Sequence, residues 1–179
     1  MKSWLNQYAD LFKAGLVNGL LSFIFIISTL LYWKSDGFSV LEISFMAILG
    51  GFFYFFTCLS VSVWLINDHI KNARSSQEKP GNKWVAILLI LIVGFVVLLL
   101  LDLIYYQIDN SISLEFAEAL KALMQQNNQS INGIDEFAKL PFLMQNGIVT
   151  FGGGLMGGLL AVPFIKKDGV LFKWNATTN

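Results

Sequence analysis

The stretch WVAILLILIVGFVVLLLLDLIYY, residues 84–106, decides the fold class of this chain. Between Val85 and Leu101 it contains only Val, Ala, Ile, Leu and Phe and a single Gly. A run of this length is typical of the roughly 20 apolar residues with which an α-helix crosses a bilayer. Lipid offers no hydrogen-bond partner to the backbone and the period-two alternation of a β-barrel strand is missing, so this stretch is predicted to be helical.

Three further segments have the same apolar character, at residues 14–33, 43–66 and 142–165, and Asp102 is the one charged residue within the four. The composition agrees, because 13% of the 179 residues are charged, whereas a soluble domain carries roughly 25%. We predict an all-α polytopic membrane protein with four transmembrane helices, in which residues 1–179 form a single membrane domain. The first segment exceeds the apolar run of a signal peptide, and we expect it to stay as an uncleaved anchor.

The cations predict the orientation of these helices. Nine of the 12 Lys and Arg residues lie before the first segment, between the second and third, or after the fourth. The other three are Lys34, Lys121 and Lys139. Under the positive-inside rule both termini are cytoplasmic, which predicts a multi-pass protein of the bacterial inner (cytoplasmic) membrane.

Residues 107–141 form an acidic outer loop in this topology. With Asp102 counted, six carboxylates oppose two lysines. Ser113 is expected to cap an amphipathic helix with Glu115 in its first turn, and Phe116, Leu120 and Leu123 follow at helical spacing. We expect this helix to lie on the membrane or on a partner. A second short helix is predicted from Asp135, and whether the loop packs over the bundle or reaches outward stays open.

Residues 1–13 also carry an apolar stripe at helical spacing, which includes Trp4, Tyr8 and Phe12. The stripe favours a separate interfacial helix on the cytoplasmic face. The alternative is that the first transmembrane helix simply begins early.

The chain resembles a known family in five features. They are AGLVNGL at 14–20, IYY at 104–106, a Glu-, Leu- and Gln-rich outer segment, KLPF at 139–142, and a Gly-rich last segment ending at Lys166 and Lys167. In this order they resemble the Bacteroidota membrane proteins grouped as the domain of unknown function four-one-nine-nine. The resemblance implies a four-helix inner-membrane protein of a Gram-negative bacterium. It implies no activity and no catalytic residues.

Glycines at spacing four are the candidate interaction sites. One G-x-x-x-G motif lies in the first segment and two overlapping ones lie in the fourth, formed by Gly15, Gly19, Gly153, Gly154, Gly157 and Gly158. Small residues at this spacing let two helix backbones approach closely. We expect them to pack helices within the chain or in an oligomer interface; a glycine-lined pore is a further alternative.

Four polar residues are expected within the outer leaflet, namely Glu42, Asp102, Gln145 and Asn146. Ionisable groups at membrane depth are candidates for binding protons or cations, although carboxylates near the interface also reach headgroup water. Asn18, one turn into the first segment, is expected to form an interhelical hydrogen bond.

The remaining motifs predict neither a metal nor a cofactor. His69 is the single histidine and Cys58 the single cysteine, and neither has companions at ligand spacing. We expect Cys58 to fill apolar space, and we expect no Ser-His-Asp triad, P-loop or dinucleotide site. Balanced charges, 12 of each sign, exclude nucleic acid as a favoured partner.

These patterns favour a non-enzymatic accessory or assembly subunit, whose glycine faces and outer helix dock onto a larger membrane complex or a second copy in the lipid bilayer. The alternative is a small oligomeric proton- or cation-coupled transporter that uses Glu42 and Asp102. An intramembrane enzyme has the least support, because no nucleophile–base pair is found.

Overall fold

The computed structural model describes residues 2–36, 38–76, 83–130, 133–137 and 139–164. Seven α-helices and one 3₁₀ turn make up this part of the chain, and it contains no strand, which confirms the all-α class. The helices are α1 (Lys2–Asp36), α2 (Val40–Ser76), α3 (Lys83–Ile108), α4 (Ser111–Gln126), α5 (Ile134–Phe137), α6 (Phe142–Gln145) and α7 (Gly147–Ala161), with the turn at Val162–Phe164.

Three helices of the described chain are long and apolar enough to cross a membrane. They span Ala9–Ser35, Trp84–Ile108 and Gly147–Phe164. A further apolar stretch, Ile48–Trp64, lies within the part of α2 whose side chains the structure describes. Three apolar helices of this length are typical of a membrane protein, and the predicted span 43–66 stays a prediction.

Two predicted boundaries are corrected. Residues 2–36 form one continuous helix, so no separate interfacial helix precedes the first apolar segment. The predicted span 142–165 is interrupted at Asn146, which has φ −111° and ψ 20° and separates the single turn of α6 from α7. The last residue of that span, Ile165, lies outside the described residues.

Close backbone contact joins α1 to α3. A Cβ added to Gly19 would lie 2.5 Å from the carbonyl oxygen of Gly94, and one added to Gly15 would lie 2.5 Å from Cβ of Val93. Both distances are far shorter than a carbon can tolerate, so the two helices approach this closely only because these positions lack side chains.

The same kind of contact joins α2 to α7. The backbone of Gly51 lies where a Cβ of Gly153 would be, and the carbonyl of Phe55 lies where a Cβ of Gly157 would be. On the adjacent face of α7, Gly154 accommodates the ring of Tyr54, and Gly158 lies against Ile87. All six glycines singled out from the sequence thus pack against neighbouring helices of their own chain.

The fully buried side chains of Ile26, Leu30, Tyr54 and Leu98 form the centre of the core between these two helix pairs. The core continues into α4 through Ile112 and Phe116.

Helix α4 covers one end of this bundle, hereafter the α4 end. The Phe116 ring meets the Phe142 ring edge to face, with centroids 5.4 Å apart. The apolar stripe predicted for this helix therefore packs on the bundle, which decides between the two orientations left open by the sequence. The start of the helix differs from the prediction, because α4 begins at Ser111 and Ser113 is buried within it.

Substituting Gly153 by Ala is expected to weaken the α2–α7 contact, because the added methyl would meet the Gly51 backbone, which cannot rotate away. Overpacking of this kind costs about 1–3 kcal/mol. Thermal unfolding in detergent, followed by intrinsic fluorescence, measures the resulting fall in Tm.

The matched control is Gly152→Ala, one residue away, where an added Cβ meets nothing within 4 Å. This variant is expected to keep or raise the Tm, because Ala is favoured over Gly in a helix by about 1 kcal/mol. Equal Tm values for both variants would contradict the glycine-dependent contact.

Candidate functional site

Glu42, the first of the four polar candidates, caps the start of α2. Its Oε2 accepts hydrogen bonds from the backbone N–H of Ser39 at 2.7 Å and from the Ser39 hydroxyl at 2.6 Å. The Ser39 hydroxyl oxygen in turn accepts the N–H of Glu42 at 3.3 Å. This reciprocal arrangement is a capping box, and its hydrogen bonds, first that of the Ser39 side chain, lower the pKa of Glu42.

Asp102, the second candidate, is 1% exposed on α3. Its Oδ2 accepts the backbone N–H of Leu143 at 2.9 Å and that of Met144 at 3.4 Å. These amides belong to the single turn of α6, whose first N–H groups have no partner within the helix. The Asp102 carboxylate therefore caps a turn that lies 41 residues further along the chain.

Gln145 and Asn146, the remaining two candidates, bond to carbonyls near the same helix interruption. Gln145 Nε2 donates to the Leu140 carbonyl at 2.8 Å, and Asn146 Nδ2 donates to the Phe142 carbonyl at 3.3 Å. The structure thus brings Asp102 next to the segment that carries Gln145 and Asn146. Glu42 bonds instead to Ser39 of its own capping box.

Lys34 anchors α4 to the end of α1, a role that the sequence reasoning missed because it used this lysine only for orientation. Lys34 Nζ lies 3.1 Å from a carboxylate oxygen of Glu115 and donates to the Ser111 hydroxyl. Asp109 Oδ1 accepts the Ser111 N–H at 2.9 Å. An Asp two residues before Ser111 was the available sequence signal, since Asp and Ser favour helix starts.

The hydrogen bonds around Asp109 lower the pKa of its carboxyl group. The Ser111 hydroxyl contributes most, followed by the Ser111 N–H, and the charge of Lys34 acts in the same direction. This group lies just beyond the apolar helix that ends at Ile108.

A second polar cluster, also missed, lies between α1 and α2 at the bundle centre. The Ser22 hydroxyl donates to the Asn18 carbonyl at 2.7 Å, and its oxygen lies 2.5 Å from the Thr57 hydroxyl oxygen. The Tyr54 hydroxyl donates to the carbonyl of Leu91 on α3. One tyrosine of α2 therefore contacts α7 with its ring and α3 with its hydroxyl group.

Asn18 does not form the hydrogen bond predicted for it. Its side chain is fully buried, and neither amide atom has a hydrogen-bond partner. The amide packs over α3 instead, with Nδ2 2.6 Å from the position that a Cβ on Gly94 would take. Cys58 is buried as expected.

An aromatic groove runs along the outside of α1 and α2. It has a volume of about 270 Å³ and is lined mainly by Phe25, Phe52, Phe53, Phe56 and Ser60. Phe25 stacks on Phe53 with ring centroids 5.7 Å apart and planes inclined by 10°. The side chains of Phe25, Phe52 and Phe56 are each about half exposed. The groove therefore lies on the outer surface of the bundle.

Within the described part of the chain, no three His, Cys, Asp or Glu residues come together in a way that could hold a metal ion. The side chain of His69 lies outside the described side chains.

Comparison with known proteins adds no relative: no protein-family model, no curated protein and no solved structure matches the chain.

Replacing Asp102 by Leu is expected to expose the amides of Leu143 and Met144, because their acceptor is removed while the apolar volume is kept. An unpaired buried donor costs about 1–3 kcal/mol, so amide hydrogen exchange in residues 141–147 is expected to accelerate about tenfold or more. Asp102→Asn, which keeps a carbonyl acceptor, is the control and is expected to change exchange much less. Unchanged exchange in both variants would exclude the capping role.

Acid is expected to loosen the start of α4 through Asp109. The pKa of Asp109 is lower in the folded protein than in the unfolded chain, where it is about 4. Ionised Asp109 therefore stabilises the folded state at pH values above the unfolded pKa. This stabilisation is lost as the pH falls through the lower pKa of the folded state. Hydrogen-exchange protection at residues 111–115 is therefore expected to fall below about pH 4. Asp109→Asn is expected to have low protection at every pH; a wild-type pH profile in this variant would contradict the assignment.

Proposed function

We propose that this protein is a non-enzymatic subunit of a larger membrane complex, in which it acts in assembly or as an accessory component. The observation that carries the proposal is the aromatic groove on α1 and α2. A helix of the partner would lie in this groove within the bilayer.

We assign docking to the groove because the glycine faces and the α4 face, which the sequence suggested for docking, pack against other helices of the same chain. The glycine faces of α1 and α7 pack on α3 and α2, and the apolar face of α4 packs on Phe142. Among the side chains that α1 and α2 leave facing outward are the half-exposed aromatic rings of the groove, beside the small hydroxyl residue Ser60. Small and hydroxyl-bearing residues are typical of helix contacts in membranes, where close packing replaces the hydrophobic drive.

The polar candidates support a structural role in the same way. Glu42 and Asp102 each accept two hydrogen bonds that hold a helix start. Both carboxylates therefore stabilise the fold, and in the folded protein they already accept hydrogen bonds from the chain itself.

The topology belongs to the proposal. All four apolar segments cross the inner membrane of a bacterium, with both termini in the cytoplasm and α4 outside. The close contact of α2 with α7 along Gly153 and Gly157 supports placing these two helices side by side in the membrane. The resemblance to the Bacteroidota four-helix family stays a prediction and agrees with this topology.

Labelling of single cysteines tests the topology. In a Cys58→Ser background, Gln129→Cys is expected to react with a membrane-impermeant maleimide added from outside the inner membrane, because Gln129 is exposed beyond α4. Lys13 is exposed near the start of the apolar helix Ala9–Ser35, and Lys13→Cys is expected to react only after the membrane is disrupted. The reverse pattern would invert the orientation, and reaction of both from outside would exclude four spans.

Native mass spectrometry of the protein extracted from its native membranes in mild detergent tests the subunit role. We expect a complex of fixed stoichiometry that Ser60→Trp dissociates by filling the groove. Leu100→Trp is the matched control, because Leu100 is an exposed position on α3 away from the groove, and this variant is expected to keep the complex. Wild-type protein that appears only as a monomer would exclude the subunit role.

A small oligomeric proton- or cation-coupled transporter is the second candidate. The geometry that favours it is the buried Asp102 carboxylate beside the helix interruption at Asn146, since transporter sites often combine broken helices with buried ionisable groups. Proton or cation flux in liposomes that is lost in Glu42→Gln with Asp102→Asn would favour transport. Absence of flux in the wild type, or flux that the two substitutions leave unchanged, would exclude it.

A further inference from the structure

Three polar atoms of α1 and α2 converge on the side of Gly94 in α3. The position that a Cβ of Gly94 would take lies 2.6 Å from Asn18 Nδ2 and 3.0 Å from the Tyr54 hydroxyl oxygen. The third atom is the Gly15 carbonyl oxygen, 3.2 Å from the same position. An amide, a hydroxyl group and a backbone carbonyl, hereafter the Gly94 cluster, therefore meet where α3 carries no side chain.

The Asn18 amide is the unsatisfied member of this cluster. Its side chain is 0% exposed, and among the described residues neither amide atom has a hydrogen-bond partner. Buried amides are nearly always hydrogen-bonded, because an unpaired one loses its hydration without compensation. A side chain of another protein does not reach a fully buried group. The amide therefore calls for a small ligand inside the bundle.

The other two members of the Gly94 cluster can each accept a hydrogen bond. The Tyr54 hydroxyl donates to the Leu91 carbonyl, which leaves lone pairs on its oxygen. The Gly15 carbonyl lies within α1, and a carbonyl oxygen has a second lone pair beyond the one used in the helix. Since Asn18 Nδ2 is a donor, a ligand that accepts one hydrogen bond and donates two satisfies the cluster.

We propose that the Gly94 cluster binds a buried water molecule, which accepts a hydrogen bond from Asn18 Nδ2 and donates to the Tyr54 hydroxyl oxygen and the Gly15 carbonyl. Three hydrogen bonds are typical of a buried water. The three protein groups are uncharged, so an ion bound there would lack a counter-charge. The water links α1 to α2 beside α3, in place of the direct interhelical hydrogen bond expected of Asn18.

This site lies in the core of the bundle and is independent of the aromatic groove and of the subunit role. Its consequence is that a solvent molecule, rather than a direct contact between side chains, completes the polar centre where three helices meet.

Radiolytic hydroxyl-radical labelling of the full-length protein in mild detergent, read by mass spectrometry, tests the proposal. Radicals formed from a bound water oxidise the side chains that it touches. Tyr54 and Met46 are both 0% exposed, and methionine is intrinsically the more reactive residue. We nevertheless expect Tyr54 to be oxidised about fivefold faster than Met46, because the water lies against Tyr54.

Asn18→Leu removes the amide and keeps an apolar side chain of similar size, and it is expected to lower the oxidation rate of Tyr54 about fivefold by expelling the water. Ser22→Ala is the matched control. It removes a buried hydroxyl group one turn away that already donates to the Asn18 backbone carbonyl, and it is expected to leave the Tyr54 rate unchanged.

Two results would overturn the proposal. One is oxidation of Tyr54 in the wild type no faster than that of Met46, since the cluster would then be dry. The other is a wild-type Tyr54 rate in Asn18→Leu, since the amide would then hold no water. A joint rise of Met46 and Tyr54 oxidation in Asn18→Leu would indicate an opened bundle, and the smaller Asn18→Val then replaces it, with the same expected fall.

Discussion

Contact between helix backbones at glycine positions is the constraint on which the bundle depends. In lipid, burying apolar side chains yields little, so helices associate through dispersion and close approach. Gly19 against Gly94 and Gly153 against Gly51 bring main-chain atoms together where any side chain would intervene. These contacts join four of the described helices in two pairs, α1 with α3 and α2 with α7, against which the rest of the structure packs.

Tyr54 connects the two pairs. Its ring fits against Gly154 within one pair, and its hydroxyl group reaches the Leu91 carbonyl in the other. Because the hydroxyl donates to a carbonyl that is already part of a helix, the contact fixes the rotation of α2 relative to α3 without interrupting either helix. Asn18 and Gly94 pack beside it, and the centre of the bundle is therefore specified by shape and polarity together.

The helical class and the apolar segments followed from the sequence because lipid imposes one length and one composition on any helix that crosses it. Glycine spacing likewise indicated that α1 and α7 make close contacts. It could not indicate that they contact Gly94 and Gly51, because these residues lie far away in the chain. The hydrogen bonds of Asp102 and Lys34 could not be predicted for the same reason, because Leu143 and Ser111 come close to them only in the folded protein. The interruption at Asn146 has no proline to mark it, and the apolar pattern continues through it.

The hydrogen bonds of Asp102 connect two parts of the chain that are synthesised at different times. The chain is synthesised from its N-terminus, so α3 is complete before the amides of Leu143 and Met144 exist. Until they are made, the hydrogen bonds that Asp102 accepts in the folded protein cannot form. A chain that ends before Leu143 therefore lacks the two donors that pair with the buried Asp102 side chain, so the C-terminal part of the protein completes the polar contacts of a helix made long before it.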